Sequence, residues 1–334
     1  MDNNNTRTRA FDIVKEGASD KRRKTVIAIF VVIALILASF ATLIIGKLIN
    51  ELPLNPGVSS NTDLTYVPLS AEDIKKGNLL IVNDTYKYEL PSDLRNMVNV
   101  KVYIENGSNS SLVKINGKYI YSLTSDDITL TQSTIDALNL MLMNYCNTID
   151  LKNADSFSAS NIEIAWGGYS EETRNEYATD ISNMGKDYYD HALGSTVVIK
   201  KNSDHSRINE AKFKSEFKWI YENAHKYGFI LRYPDTCASH TGQNSNTRIH
   251  YRYVGIEHAT YIYENNICLE EYIDLLRTKH NSVNSPLTII TENGSFDVYY
   301  IKYNGNPTSV PVPKDAKYSI SGDNMNGFIV SVEK

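Results

Sequence analysis

The sequence predicts an α+β protein with a single N-terminal transmembrane helix and a small all-β appendage at its C-terminus. Three observations carry this. An uncharged run, Thr25 to Gly46, follows a basic cluster. Between residues 63 and 280, short strand-like runs alternate with helical patterns, whereas residues 286–334 are strand-like throughout. The 334 residues, with a net charge of −5, suffice for one or two domains with real cores, and the mildly acidic balance lacks the basic field that nucleic acid rewards.

Residues 1–24 form a short tail containing Arg7, Arg9, Lys15, Lys21, Arg22, Arg23 and Lys24. A basic flank of this kind stays cytoplasmic. The run 25–46 would reach roughly 33 Å as a helix, against a hydrocarbon core of about 30 Å. A cleaved signal peptide is the rival, since "ASFA" offers small residues. The run exceeds the roughly 7–15 residues of a signal core, which favours an uncleaved anchor. The expected location is therefore the cell membrane, single-pass, with lipid contacted through the anchor and everything C-terminal to it extracytoplasmic. Residues 47–62, rich in Pro, Asn, Ser and Gly, read as a stalk. Of the three cysteines, Cys146, Cys237 and Cys268, at most one pair can form, and none has metal-ligand spacing.

Within 63–280, "GNLLIVND" (77–84) and "VNVKVYI" (98–104) predict strands. "LVKINGKYIYSL" predicts a turn at Asn116-Gly117, and "TQSTIDALNLMLMNYC" predicts a helix. "KFKSEFKWIYENAHKYG" sets Phe213, Phe217, Ile220, Tyr221 and Ala224 on one helical stripe with Gly228 as its stop. "FILRYP" follows as a strand and "CLEEYIDLLR" as a helix. In 286–334, "LTIITENGSFDVYYIKYNG" places Asn293-Gly294 between two strand-like runs, a hairpin signal, and "YSISGDNMNGFIVSVEK" continues in strands.

The order "WIYENAHKYGFILRYP", then "TG", then "IHYRYVGIEHA", with "LEEY" shortly after, resembles the VanY-type zinc D-alanyl-D-alanine carboxypeptidases. The likeness is weaker through "GNLLIVN" and "LNLMLMNY" and strongest from Tyr188 to Tyr272. It implies a VanY-like domain at 63–280, with a small antiparallel sheet and flanking helices. It also implies a zinc peptidase site: a His-x-x-Gly-x-Ala-x-Asp motif and a later histidine hold the metal, a glutamate three residues before that histidine is the base, and an arginine in a Gly-Tyr-Arg-Ser-like turn takes the substrate carboxylate.

Carried over by residue, the resemblance makes His191 and His250 the metal histidines and Gly194 the motif glycine. Val198 stands at the aspartate-ligand position and Thr247 at the general-base position, while Tyr169 or Ser170 stands at the arginine. An aliphatic group offers zinc no electron pair, and a threonine hydroxyl is a poor base near neutral pH. Asp190, Asp204, His205, Asp235 and His240 are the candidates for a replacement ligand. Trp166, Tyr169, Tyr251 and Tyr253 are expected either to line the cleft, with Tyr169, Ser170 and Tyr251 contacting substrate, or to pack in the core.

The expected function is a catalytically degenerate homologue acting at the bacterial cell wall, binding a peptidoglycan stem peptide or an envelope protein. The alternative is an active zinc-dependent D,D- or L,D-carboxypeptidase with a non-standard third ligand.

Overall fold

The computed structural model describes residues 63–83, 85–88, 97–106, 114–115, 117–149, 159–166, 190–202, 208–241, 249–305 and 307–334. The expected tail, anchor and stalk lie outside the described residues. Among the described residues, no helix is long and apolar enough to cross a membrane.

The chain enters through β1 (Leu64–Leu69) and a 3-10 turn, Ala71–Lys75. Residues 79–82 are buried but form no strand. Their side chains alternate between two apolar clusters, Leu79 and Ile81 in one, Leu80 and Val82 in the other. Their amides bond singly instead of in a ladder: Leu79 N–H donates to Ser321 Oγ (3.0 Å) and Ile81 N–H to the Asp323 carbonyl (3.0 Å).

The expected strand at 98–104 is overturned as well. It is β2 (Met97–Asn99) followed by α1 (Val100–Asn106). Asn99 Oδ1 accepts the Val102 amide (2.9 Å), a cap that lets the helix start, and Val100 and Ile104 are then buried one turn apart. A V-x-V-x-I pattern alone cannot exclude this reading.

β3 (Lys114–Ile115) and β4 (Lys118–Tyr119) flank the predicted turn, and β5 (Ser122–Leu123) and β6 (Thr129–Thr131) follow. α2 (Gln132–Cys146) is capped by Thr131 and buries Ile135, Leu138, Leu142, Tyr145 and Cys146 at helical spacing. β7 (Ile162–Trp166) and β8 (Thr196–Lys201) come next, separated by a 3-10 turn at Asp190–Leu193.

The aromatic stripe predicted as one helix is α3 (Glu210–Glu216), α4 (Lys218–Asn223) and a 3-10 turn to Tyr227. The break falls at Phe217 (φ −118°, ψ 41°), yet Phe213, Phe217, Ile220 and Ala224 all stay buried. Gly228, at φ 84°, ends the segment in the left-handed region, as its sequence position predicts. β9 (Phe229–Leu231), a 3-10 turn at Asp235–Cys237, α5 (Ala238–Thr241), β10 (Ile249–Tyr253), α6 (Ile256–Asn265) and α7 (Leu269–Lys279) complete this region.

The strands order β5-β7-β8-β10-β9, antiparallel except for the parallel β5–β7 pair. One face carries Ile164, Val197, Ile199, Ile249 and Tyr251 into a core shared with α2, α3 and α4. Alternation along the strands sends Val198, His250 and Arg252 to the other face.

The last segment comprises β11 (Leu287–Thr291), β12 (Gly294–Lys302), β13 (Thr308–Pro313), β14 (Tyr318–Gly322) and β15 (Gly327–Glu333). Its four-stranded antiparallel sheet, β11-β12-β15-β14, buries Val298, Tyr300 and Ile329 against Leu269, Tyr272, Ile273 and Leu276 of α7. Tyr299, Phe328 and Val330 face a second cluster with Val310 and Val312 of β13, which pairs with β1. Residues 64–82 are thus tied to the C-terminal strands, across the boundary drawn in the sequence at 280–286.

Candidate functional site

His191 sits in the Asp190–Leu193 turn, immediately before β8. The turn ends at Gly194, whose φ of +63° and close approach to β2 both call for glycine: an added Cβ would meet Met97 Sδ at 2.1 Å. His250 lies on β10, and the register places Val198 of β8 directly opposite it. Directly opposed residues in an antiparallel pair share a face, so Val198 and His250 are side-by-side neighbours. On its other side, Val198 is paired with Trp166 of β7. The His191 and His250 rings lie 5.4 Å apart between centroids, and Tyr233 meets His250 edge-on at 5.3 Å. The structure therefore unites His191, His250 and Val198, the three positions the sequence linked.

A buried ion network fixes this arrangement from behind. Asp190 accepts from Arg232 Nε (2.5 Å) and from Arg252 Nη1 (3.0 Å). Arg232 makes a two-pronged contact to Glu270 (2.7 and 3.0 Å), and Arg252 Nη2 donates to the Asn78 carbonyl (3.0 Å). Asp190, Arg232 and Arg252 are all essentially inaccessible. Burial by itself would raise the Asp190 carboxyl, but Arg232 and Arg252 outweigh it and hold it below the usual aspartate value.

The network answers one expectation. Asp190 is committed to two guanidinium groups and is not a spare zinc ligand; it also lies in a 3-10 turn, not on a strand. Sequence reading missed Arg232, Arg252, Glu270 and Tyr233. Arg252 had a usable signal, since it stands two residues beyond His250 on a strand and therefore shares its face.

Other expected residues fall elsewhere. Tyr251, expected at the substrate, is on the opposite face of β10, buried against Phe213 at 5.7 Å between ring centroids. Tyr253 shares that face and packs on Phe229. These tyrosines are core residues, because strand alternation turns them away from His250. Asp235 is exposed, and its amide donates to Glu210 (2.8 Å). His240 faces Glu271 (3.3 Å). Tyr169, Ser170, Asp204, His205 and Thr247 lie outside the described residues.

The comparisons with known proteins fit this geometry. The VanY family model, described as D-alanyl-D-alanine carboxypeptidase, matches residues 151–256, which contain both histidines and Val198. A D-alanyl-D-alanine carboxypeptidase of Enterococcus faecium is 28% identical over 284 residues, covering 83% of this chain and 82% of that protein. Residues 151–256 carry a VanY-type domain.

Among solved structures, the vancomycin-resistance D,D-dipeptidase VanXYg, in complex with a phosphinate analogue of D-Ala-D-Ala, superposes with a TM-score of 0.61 at 20% identity. The match spans 81% of this chain and all of that one, a likeness of fold. A VanY D,D-pentapeptidase variant in complex with Zn(II) is 22% identical, with a TM-score of 0.38 over 59% of this chain and 98% of that one.

Zinc is the metal that the resemblance implies, and the donor set here can be tested against it. A catalytic zinc takes three protein ligands and leaves one position for water. The described residues supply two imidazoles, His191 and His250, and an isopropyl group where the third ligand belongs. Among the described residues, no carboxylate, thiol or third imidazole joins these two histidines in a metal-sized cluster. The described donors do not fit a three-ligand catalytic zinc.

Proposed function

We propose that this chain is a membrane-anchored, extracytoplasmic VanY-type protein that binds the D-alanyl end of a peptidoglycan stem peptide without cleaving it. The observation that carries this reading is Val198 opposite His250: the position that should charge and complete the metal centre is aliphatic and buried. The threonine at 247 and the Tyr169-Ser170 turn, where the family pattern has a base and an arginine, support it from the sequence. Without a metal-bound water or a base there is no nucleophile to hydrolyse the peptide. The histidines and Tyr233 remain as the groups that a bound peptide would meet.

The test uses the full-length chain in detergent with a pentapeptide ending in D-Ala-D-Ala. Saturable binding, weakened by His250→Ala, with no D-alanine released above the protein-free blank in zinc-containing buffer, is expected. Zinc-dependent release of D-alanine that His250→Ala abolishes would overturn the proposal in favour of an active carboxypeptidase. The anchor is tested separately, by whether residues 1–60 carry a reporter into the membrane fraction.

A further inference from the structure

Outside the histidine face, a second cluster has the chemistry of a metal site. Cys237 Sγ, Cys268 Sγ and a carboxylate oxygen of Glu271 all lie within 4.8 Å of one another. Both thiols are buried, each residue 2% exposed. Cys237 Sγ is 3.6 Å from Glu271 Oε2, and His240 Nε2 is 3.3 Å from Glu271 Oε1. Zinc–sulfur bonds of about 2.3 Å in a tetrahedron put neighbouring donors roughly 3.8 Å apart, so the cluster is within about an ångström of closing on an ion.

Two short motifs build it. Cys237 and His240 are three residues apart across the turn into α5, which sets them on one side of that segment. Cys268 and Glu271 are the N-cap and third residue of α7, and their capping box draws them together: Cys268 N–H donates to Glu271 Oε2 at 3.0 Å. The sequence reading gave none of the cysteines metal-ligand spacing, and the site proposed here departs from it. The pairs are Cys-x-x-His and Cys-x-x-Glu, one on each side of the cluster.

We propose that Cys237, Cys268, Glu271 and His240 form a structural zinc site separate from the histidine face. Two thiolates, an imidazole and a carboxylate are a donor set that suits a borderline-soft divalent ion, and all four positions are filled by protein, as in a closed structural centre. On binding, each thiol gives its proton to solvent. The consequence reaches the histidine face. The ion would clasp the 232–241 segment onto α7 beside the Arg232–Glu270 pair, and Tyr233, which packs on His250, belongs to that segment.

The test uses the full-length chain, reduced, stripped with chelator and reloaded with cobalt(II) or zinc. About one zinc per chain is expected in wild type and in His250→Ala, falling at least tenfold in Cys237→Ser and Cys268→Ser. Cobalt-loaded wild type should show an intense thiolate-to-cobalt charge-transfer band in the near ultraviolet. That readout needs no variant and survives any failure of the serine proteins to fold. Zinc lost in His250→Ala but kept in Cys237→Ser, with no thiolate band, would place the ion at the histidines and refute this site. A Cys237–Cys268 disulfide in the untreated protein, found by thiol counting, that re-forms and excludes metal would refute it as well.

Discussion

Substituting Val198→Asp puts the cause assigned to the incomplete histidine site to a direct test. The experiment belongs in a Cys237→Ser/Cys268→Ser background, so that added zinc reports on the histidines alone. Position 198 is 2% exposed and lies opposite His250, so a carboxylate there is forced beside that imidazole, whose ring is 5.4 Å from that of His191. Without metal, an uncompensated buried charge should cost about 3–5 kcal/mol. With zinc at a hundred times its dissociation constant, the completed three-ligand site should recover about 2.7 kcal/mol. At about 2–4 °C per kcal/mol for a unit of this size, zinc should raise the melting temperature of V198D by roughly 5–10 °C. The parent should move by less than 2 °C, roughly the smallest shift that such a coupling resolves. Scanning calorimetry with and without zinc reads both numbers. An equal zinc response in parent and variant would refute the reasoning, since it would mean that Val198 is not the missing ligand position.

Asp190→Asn should destabilise the fold by about 3–5 kcal/mol, because it leaves buried Arg252 without its carboxylate partner and Arg232 with Glu270 alone; the midpoint of urea unfolding measures it. Gly194→Ala should cost more than about 1 kcal/mol through its positive φ and the Met97 clash, and Met97→Ala should recover part of that loss. His225 is buried and stacked on Tyr263 at 4.0 Å, and burial pushes its imidazole down to about 4. A depressed histidine contributes stability above its unfolded value near 6.5 that is lost as pH falls toward 4, roughly 3 kcal/mol in all. His225→Phe should therefore flatten the stability profile between pH 6.5 and 4, as judged from urea midpoints. Adding Thr247→Glu to V198D should restore zinc-dependent D-alanine release, assayed on the same pentapeptide.

What the sequence made legible follows the range of its signals. The helix at 132–146, the Gly228 stop and the Asn293-Gly294 hairpin were readable because each is decided within a few residues, by periodicity or turn chemistry. The spacing of His191, Val198 and His250 was readable through the family pattern, and the strand register then placed the last two side by side. Residues 79–82 and 98–104 misled because their alternation is real while its cause is tertiary. In the first, two separate clusters take alternate side chains; in the second, an Asn99 cap converts the run to helix. Asp190 with Arg232, Arg252 and Glu270, like the Cys237–Glu271 cluster, is assembled from positions up to 80 residues apart. No local window can supply such partners.

The charge balance of the ion network bears on the histidine face itself. Two guanidinium groups face two carboxylates, Asp190 and Glu270, so the platform behind His191 is neutral as it stands. A divalent ion between the histidines would add two positive charges to that neutral platform, next to Arg232 and Arg252, with no carboxylate at 198 to offset them. Desolvating such an ion is costly, and two imidazoles alone offset less of that cost than two imidazoles and a carboxylate would. The platform also holds the Asp190–Leu193 turn in place through Asp190, without requiring a metal to do so. On the proposed reading the stem peptide's terminal carboxylate is recognised at this face, and its binding should weaken with rising salt more than binding of its C-terminal amide.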